Sequence, residues 1–181
     1  MYKLLLVLIA LVIIGCNNPS SKTNNTTDIK DAGAISDAAL DAASVASFLN
    51  SDEWVIALPG GWKLTESPDK SIKLFALSNT GNNVFSLEKV LTDASYDKFV
   101  IERIRFLRSM EAEIRVTKSV QINGHEFVMV ESLLNNLRVW TWITTTKNSV
   151  GFVLTCGGLD MESKDNSIIC NAVADSFQIK L

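Results

Sequence analysis

The apolar and polar positions of this chain change period several times, and each change marks an element. Residues 4–14 form an unbroken apolar run of eleven. Residues 17–27 are Asn, Ser, Thr and Lys with one proline, which cannot bury enough apolar area to offset the entropy of ordering, so a flexible spacer is expected. Residues 28–50 are rich in alanine, with Ile35, Leu40, Val45 and Phe48 loosely spread, and propensity predicts a marginal helix over 36–49. From Trp54 the pattern becomes that of a folded domain. Residues 54–58 read as a short strand broken by Pro59-Gly60-Gly61, and 72–77 and 84–91 as a hairpin around the Asn- and Gly-rich turn at 78–83. Ser95 then opens a helix to about Met110, with Tyr96, Phe99, Val100, Ile104, Leu107 and Met110 recurring at helical spacing. From Glu113 the period drops to two. Ile114, Val116, Val120 and Ile122 alternate with polar residues, and Asn123-Gly124 is a strong hairpin signal. Segments 126–134, 137–146 and 150–156 continue a meander of four long strands, Gly157-Gly158 ends it, and a closing helix runs from Ser163 or Asp165 through Ser176.

The first apolar run covers about half of a ~30 Å hydrocarbon core as a helix, too little to span it, and after Lys3 it reads as the core of a signal peptide. Its end, Ile13-Ile14-Gly15-Cys16, resembles the bacterial lipobox. That resemblance implies that residues 1–15 are removed and that Cys16 is lipidated, palmitate included, as a membrane attachment point. Several acyl chains anchor stably where one does not. Asn17 is not the aspartate that marks inner-membrane retention in some bacteria, which favours the outer membrane. The chain then divides into a signal peptide (1–15), a tether (16–53) and one globular domain (54–181).

Charge follows the same division. Of the formal −3, the tether carries six acids against two lysines, and fourteen charges of each sign remain over 54–181. A balanced domain lacks the basic footprint of a nucleic-acid binder. Setting Cys16 aside leaves Cys156 and Cys170, and in an exported protein an even remainder argues for a disulfide, against the alternative of two reduced buried thiols.

Candidate chemistry is sparse. His125 is the only histidine, which removes a Ser-His-Asp triad and multi-histidine metal sites, and leaves a hairpin surface residue. Asp160, Glu162 and Asp165 lack the calcium-loop spacing and its glycine, and acids at a helix start account for them. Gly60-Gly61 and Gly157-Gly158 lack the lysine of a phosphate loop, and Arg103, Arg105 and Arg108 read as a solvated helix face. No cofactor, metal or catalytic residue is expected. Trp140 and Trp142 lie two apart on the strand face opposite Leu137, Val139 and Ile143. They either pack beneath a second layer or form an exposed aromatic binding surface.

The order of elements, with Leu58-Pro59-Gly60-Gly61-Trp62 at one end and Ala174-Asp175-Ser176-Phe177 at the other, resembles the PsbP-like fold, also found in bacterial envelope lipoproteins of the DcrB type. The resemblance implies an α+β domain over 54–181, an antiparallel sheet of about six strands sandwiched by helices, with an NTF2-like cone as the alternative. It implies a non-enzymatic binding or scaffold module and supplies no catalytic residue. Two functions are expected: binding of another envelope protein, from the tether, the balanced charge and the absent catalytic set, or binding of a small apolar ligand or lipid between sheet and helix, suggested by Trp140 and Trp142.

Overall fold

In the computed structural model, which describes residues 45–67, 69–78, 81–159 and 163–180, asparagine turns set the architecture. Asn123 and Gly124 have φ of 47° and 81°, and Asn135 and Asn136 have 49° and 65°. Asparagine and glycine tolerate this left-handed region, and two such residues make the tight hairpin turn that matches strand twist. The chain therefore doubles back twice, giving β6 (Glu113–Ile122), β7 (His125–Leu134) and β8 (Leu137–Thr145), and a third turn leads to β9 (Val150–Leu159). The signal peptide, Cys16, the spacer, residues 36–44 of the expected helix, and Asp160 and Glu162 lie outside the described residues.

Upstream of the meander come β1 (Val45–Asn50), β2 (Trp54–Pro59), β3 (Lys63–Leu64), β4 (Ile72–Leu77), β5 (Asn83–Leu91) and helix α1 (Tyr96–Ser109); helix α2 (Ser163–Asp175) and β10 (Gln178–Ile179) follow it. The main sheet has seven antiparallel strands in the order β3-β4-β5-β9-β8-β7-β6, so six long strands carry it and β3 adds two residues. Because β9 returns beside β5, α1 must cross one face to reach β6 at the far edge. The other face is covered by α2 and a small sheet, β1-β2-β10. The expected sheet sandwiched by helices is this α+β fold, not a cone.

Two expectations fail locally. Residues 45–50 form a strand, not the end of a helix, because β1 pairs antiparallel with β2 over Val45–Pro59 to Asn50–Val55. Pairing overrides an alanine-weighted propensity of a few tenths of a kcal/mol per residue. Hydrogen-bonded structure thus begins ahead of Trp54. Gly157 and Gly158 do not end a strand but lie inside β9, opposite Val84 and Asn83. A Cβ on Gly158 would fall 1.9 Å from the Asn83 Oδ1, so glycine there makes room for a side chain crossing from β5.

Alternation along the central strands divides the core in two. Phe127, Met129, Trp140, Trp142, Phe152, Leu154 and Cys156 face β2 and α2, where Trp54, Ile56, Leu58, Cys170, Val173 and Phe177 meet them. Val130, Ile143 and Val153 face α1, whose Phe99, Val100 and Leu107 are buried as the helical spacing predicts. Ser95 stands at the N-cap without a side-chain capping hydrogen bond, so packing fixes α1 more than its cap does. Gly151 admits the Phe99 ring, which would sit 2.5 Å from an added Cβ.

The two ends of the chain that carry the family resemblance meet. The Ser176 hydroxyl accepts from the Ala57 N–H at 2.9 Å and donates to the Val173 carbonyl at 2.7 Å. Asn123 Nδ2 donates to the carbonyls of Asp175 (2.9 Å) and Phe177 (2.8 Å), so the first meander hairpin is bound to the same corner. Cys156 of β9 and Cys170 of α2 are disulfide-bonded with Cα atoms 5.6 Å apart. Among the described residues, no helix is long and apolar enough to cross a membrane.

Candidate functional site

The α1 face of the sheet is apolar except along one strip. Cross-strand register puts Val130, Thr141 and Thr155 in one row, and Ser132 beside Val139 in the next. α1 presses Phe99 and Val100 onto one part of this face. Its later residues, Arg103, Phe106, Leu107 and Met110, stand over the hydroxyl strip and leave a cavity of about 50 Å³ between helix and sheet. Leu107, Met110, Ala112, Leu134, Val139 and Val153 supply most of its wall.

The polar atoms in the wall are few. Glu88 of β5 and Arg103 of α1 form a fork, with Nη1 3.1 Å from Oε2 and Nη2 donating to Oε1 at 3.2 Å. Their side chains are 23% and 15% exposed, and the Arg103 guanidinium also lies 5.1 Å from the Phe99 ring centre. A guanidinium so held is pinned by carboxylate and ring together. It is not part of a solvated helix face, as its spacing with Arg105 and Arg108 predicts. The pair neutralises itself, so the cavity carries no net charge. Ser132, 1% exposed, reaches the Val139 carbonyl only at 3.5 Å, the outer limit of a hydrogen bond. Thr141, 3% exposed, has no partner for Oγ1 among the described residues.

Two other buried side-chain atoms lack partners among the described residues: Asn83 Oδ1 and the Tyr96 hydroxyl. Neither residue lines the cavity. Burial pushes the Tyr96 hydroxyl above its ordinary value, and the nearby charges of Glu126 and Asp97 add to this. A buried hydroxyl without a partner costs about 1–3 kcal/mol, and an apolar replacement of the same shape removes that cost. Tyr96→Phe is therefore expected to raise stability by about 1 kcal/mol in thermal unfolding; a lower midpoint would mean that the hydroxyl has a stabilising partner.

The cavity's one carboxylate, Glu88, is already bound to the Arg103 guanidinium. Among the described residues, no cluster of three or more His, Cys, Asp or Glu could bind a metal.

The residues singled out from sequence fall elsewhere. Trp140 and Trp142 are 3% and 2% exposed on the opposite face, so they form no exposed binding surface. Their alternation shows that they share a face, but β2 and α2, distant in sequence, cover it. Cys156 and Cys170 are joined there as well. His125 is half-buried at the start of β7, across from Ile122. Cys16, Asp160 and Glu162 lie outside the described residues. Thr141 and Ser132 are the residues that sequence reasoning missed. Their signal is a polar atom at an inward position between apolar neighbours, Val139 and Ile143 for one, Val130 and Leu134 for the other.

No protein-family model matches the chain, and no curated protein matches it either. Solved structures do. Cyanobacterial PsbP (CyanoP) from Synechocystis superposes with a TM-score of 0.58 at 12% identity, covering 70% of this chain and 86% of that one. A crystal structure from Bacteroides thetaiotaomicron gives 0.51 at 13% identity over 71% of this chain and 45% of that one. LpqN of Mycobacterium tuberculosis, involved in cell envelope biogenesis, gives 0.47 at 10% identity over 77% and 94%. At such identities the likeness is one of fold, and the fold of this chain is PsbP-like.

Proposed function

We propose that this chain is a lipid-anchored, non-catalytic protein of the bacterial cell envelope, whose PsbP-like domain holds a small apolar ligand between α1 and the sheet. The observation that carries the ligand reading is the cavity beneath the second half of α1, apolar in most of its wall and placed where two packed layers would otherwise close. The anchor rests on the resemblance of residues 13–16 to a lipobox, and the Cys156–Cys170 bond supports an oxidising compartment. The domain faces the periplasm or the exterior, and Asn17 favours the outer membrane. A tether between Cys16 and the domain would let it meet envelope partners away from the bilayer.

The deciding experiment is native mass spectrometry of the protein released from its own membrane, beside intact-mass analysis. The expected result is a lipid-sized increment on Cys16 together with a noncovalent small-molecule adduct that Ala112→Leu, which fills the cavity, removes. Tryptophan fluorescence is a poor reporter here, since Trp140 and Trp142 face the other core. A bound polypeptide with no small adduct would turn the reading to a protein scaffold. An unmodified Cys16 would overturn the anchor.

A further inference from the structure

Resting on that cavity reading, we infer that the ligand is uncharged and presents one hydrogen-bonding oxygen on an apolar body, with the Thr141 hydroxyl as its recognition atom. Thr141 occupies the centre of β8 between Val139 and Ile143, and valine has the same shape. A hydroxyl here contributes nothing to packing that valine would not. Of the buried atoms without partners among the described residues, Thr141 Oγ1 is the one whose residue lines the cavity. Ser132, with its long bond to Val139, and Thr155, across the strand pair, extend the same polar strip. Thr141 Oγ1 is itself almost closed off, so a ligand oxygen satisfies it as the side chains around it shift, while Leu107 and Met110 cover the ligand's apolar side.

Charge is excluded by the wall. A carboxylate would have to compete with Glu88 for the Arg103 fork, and a cation with Arg103 for Glu88. Either would leave an uncompensated charge in an apolar enclosure. Size adds a limit. At about 50 Å³ the cavity is smaller than the roughly 150 Å³ that accommodates benzene in an engineered core, so a ring enters only if the roof gives way. Met110, unbranched and at the end of α1, is the element able to do so.

The test uses the full chain in detergent micelles with methyl NMR of Leu107, Met110, Val139 and position 141, titrated with phenol, benzene and benzoate. The preference for phenol over benzene is expected to be about fivefold or more greater in the wild type than in Thr141→Val under the same conditions, a comparison that cancels partition into micelles. Thr141→Ser keeps the hydroxyl and should keep the preference. Benzoate should leave the cavity methyls unmoved. Equal phenol preference in wild type and Thr141→Val, or binding of benzoate, would overturn the ligand class while leaving the cavity reading in place. No cavity methyl responding to any probe would overturn this inference by showing that the roof does not give way, and the adduct experiment above decides the cavity reading separately.

Discussion

Phe177→Ala is expected to lower the stability of the domain by about 3–5 kcal/mol, the range for emptying a fully buried aromatic site. Phe177 is 1% exposed and touches Phe152 and Phe127 edge-on, with ring centres 5.6 Å and 6.3 Å away at 63° and 82°. Such pairs add to area burial because the positive edge of one ring meets the negative face of another. The neighbourhood cannot collapse into the gap. Ser176 is bonded to Ala57 on one side, and the Asn123 side chain holds the Phe177 carbonyl on the other. With total stability of about 5–15 kcal/mol for a domain, this single loss removes about a fifth of it or more. In urea the midpoint should fall with an unchanged slope, since the unfolded chain still exposes nearly the same surface. Phe106, half-buried in the cavity wall, offers the contrast: Phe106→Ala should cost less than half as much. A Phe177→Ala loss under about 1.5 kcal/mol would contradict the packing of this corner.

Replacing Cys156 and Cys170 together by alanine is expected to cost about 3 kcal/mol. The bond closes a loop of sequence separation 14, and the loss is that of the constraint on the unfolded chain. Both cysteines are buried, at 0% and 1% exposure, so alanine also forfeits some packing. The thermal midpoint should fall by about 10 °C, taking roughly 3 °C for each kcal/mol in a domain of this size. Reductant should destabilise the wild type in denaturant and leave the double variant unaffected. Equal reductant sensitivity in both proteins would mean that the bond carries no stability.

Periodicity along the chain makes much of the sheet legible. The Asn123-Gly124 turn and the helical spacing from Tyr96 to Met110 each express one local rule and form as it requires, whereas the two-residue repeat from Glu113 gives a strand in which a register shift between Ile114 and Val116 turns Ile114 to the α1 core, Val120 and Ile122 to the other core, and leaves Val116 exposed. What stays hidden depends on contacts between distant segments. Alternation puts Trp140 and Trp142 on one face, but only the position of β2 and α2 makes that face the interior. Val45–Asn50 reads as helix by composition and becomes a strand through its partner β2. Arg103 looks solvated on a helical wheel until Glu88, 15 residues away, is placed beneath it. The cavity is a gap between elements, so the sequence holds only its trace, two hydroxyl residues on an apolar face.

The hydrogen bond from Ala57 to Ser176 spans 119 residues, and β10 completes the small sheet by pairing with Trp54 and Val55 of β2. A chain that emerges N-terminus first delivers β1 and β2 early and their remaining partners, α2, Ser176 and β10, last. Until α2 and β10 are delivered, Ile56 and Leu58 can meet the main sheet but lack Cys170, Val173 and Phe177 beside them, and closing so long a loop is slow. The last bonds of this corner therefore wait for residues 176–179: nascent chains stopped before Ser176 are expected to pair β1 with β2 but to lack the Ala57–Ser176 bond and the third strand of the small sheet.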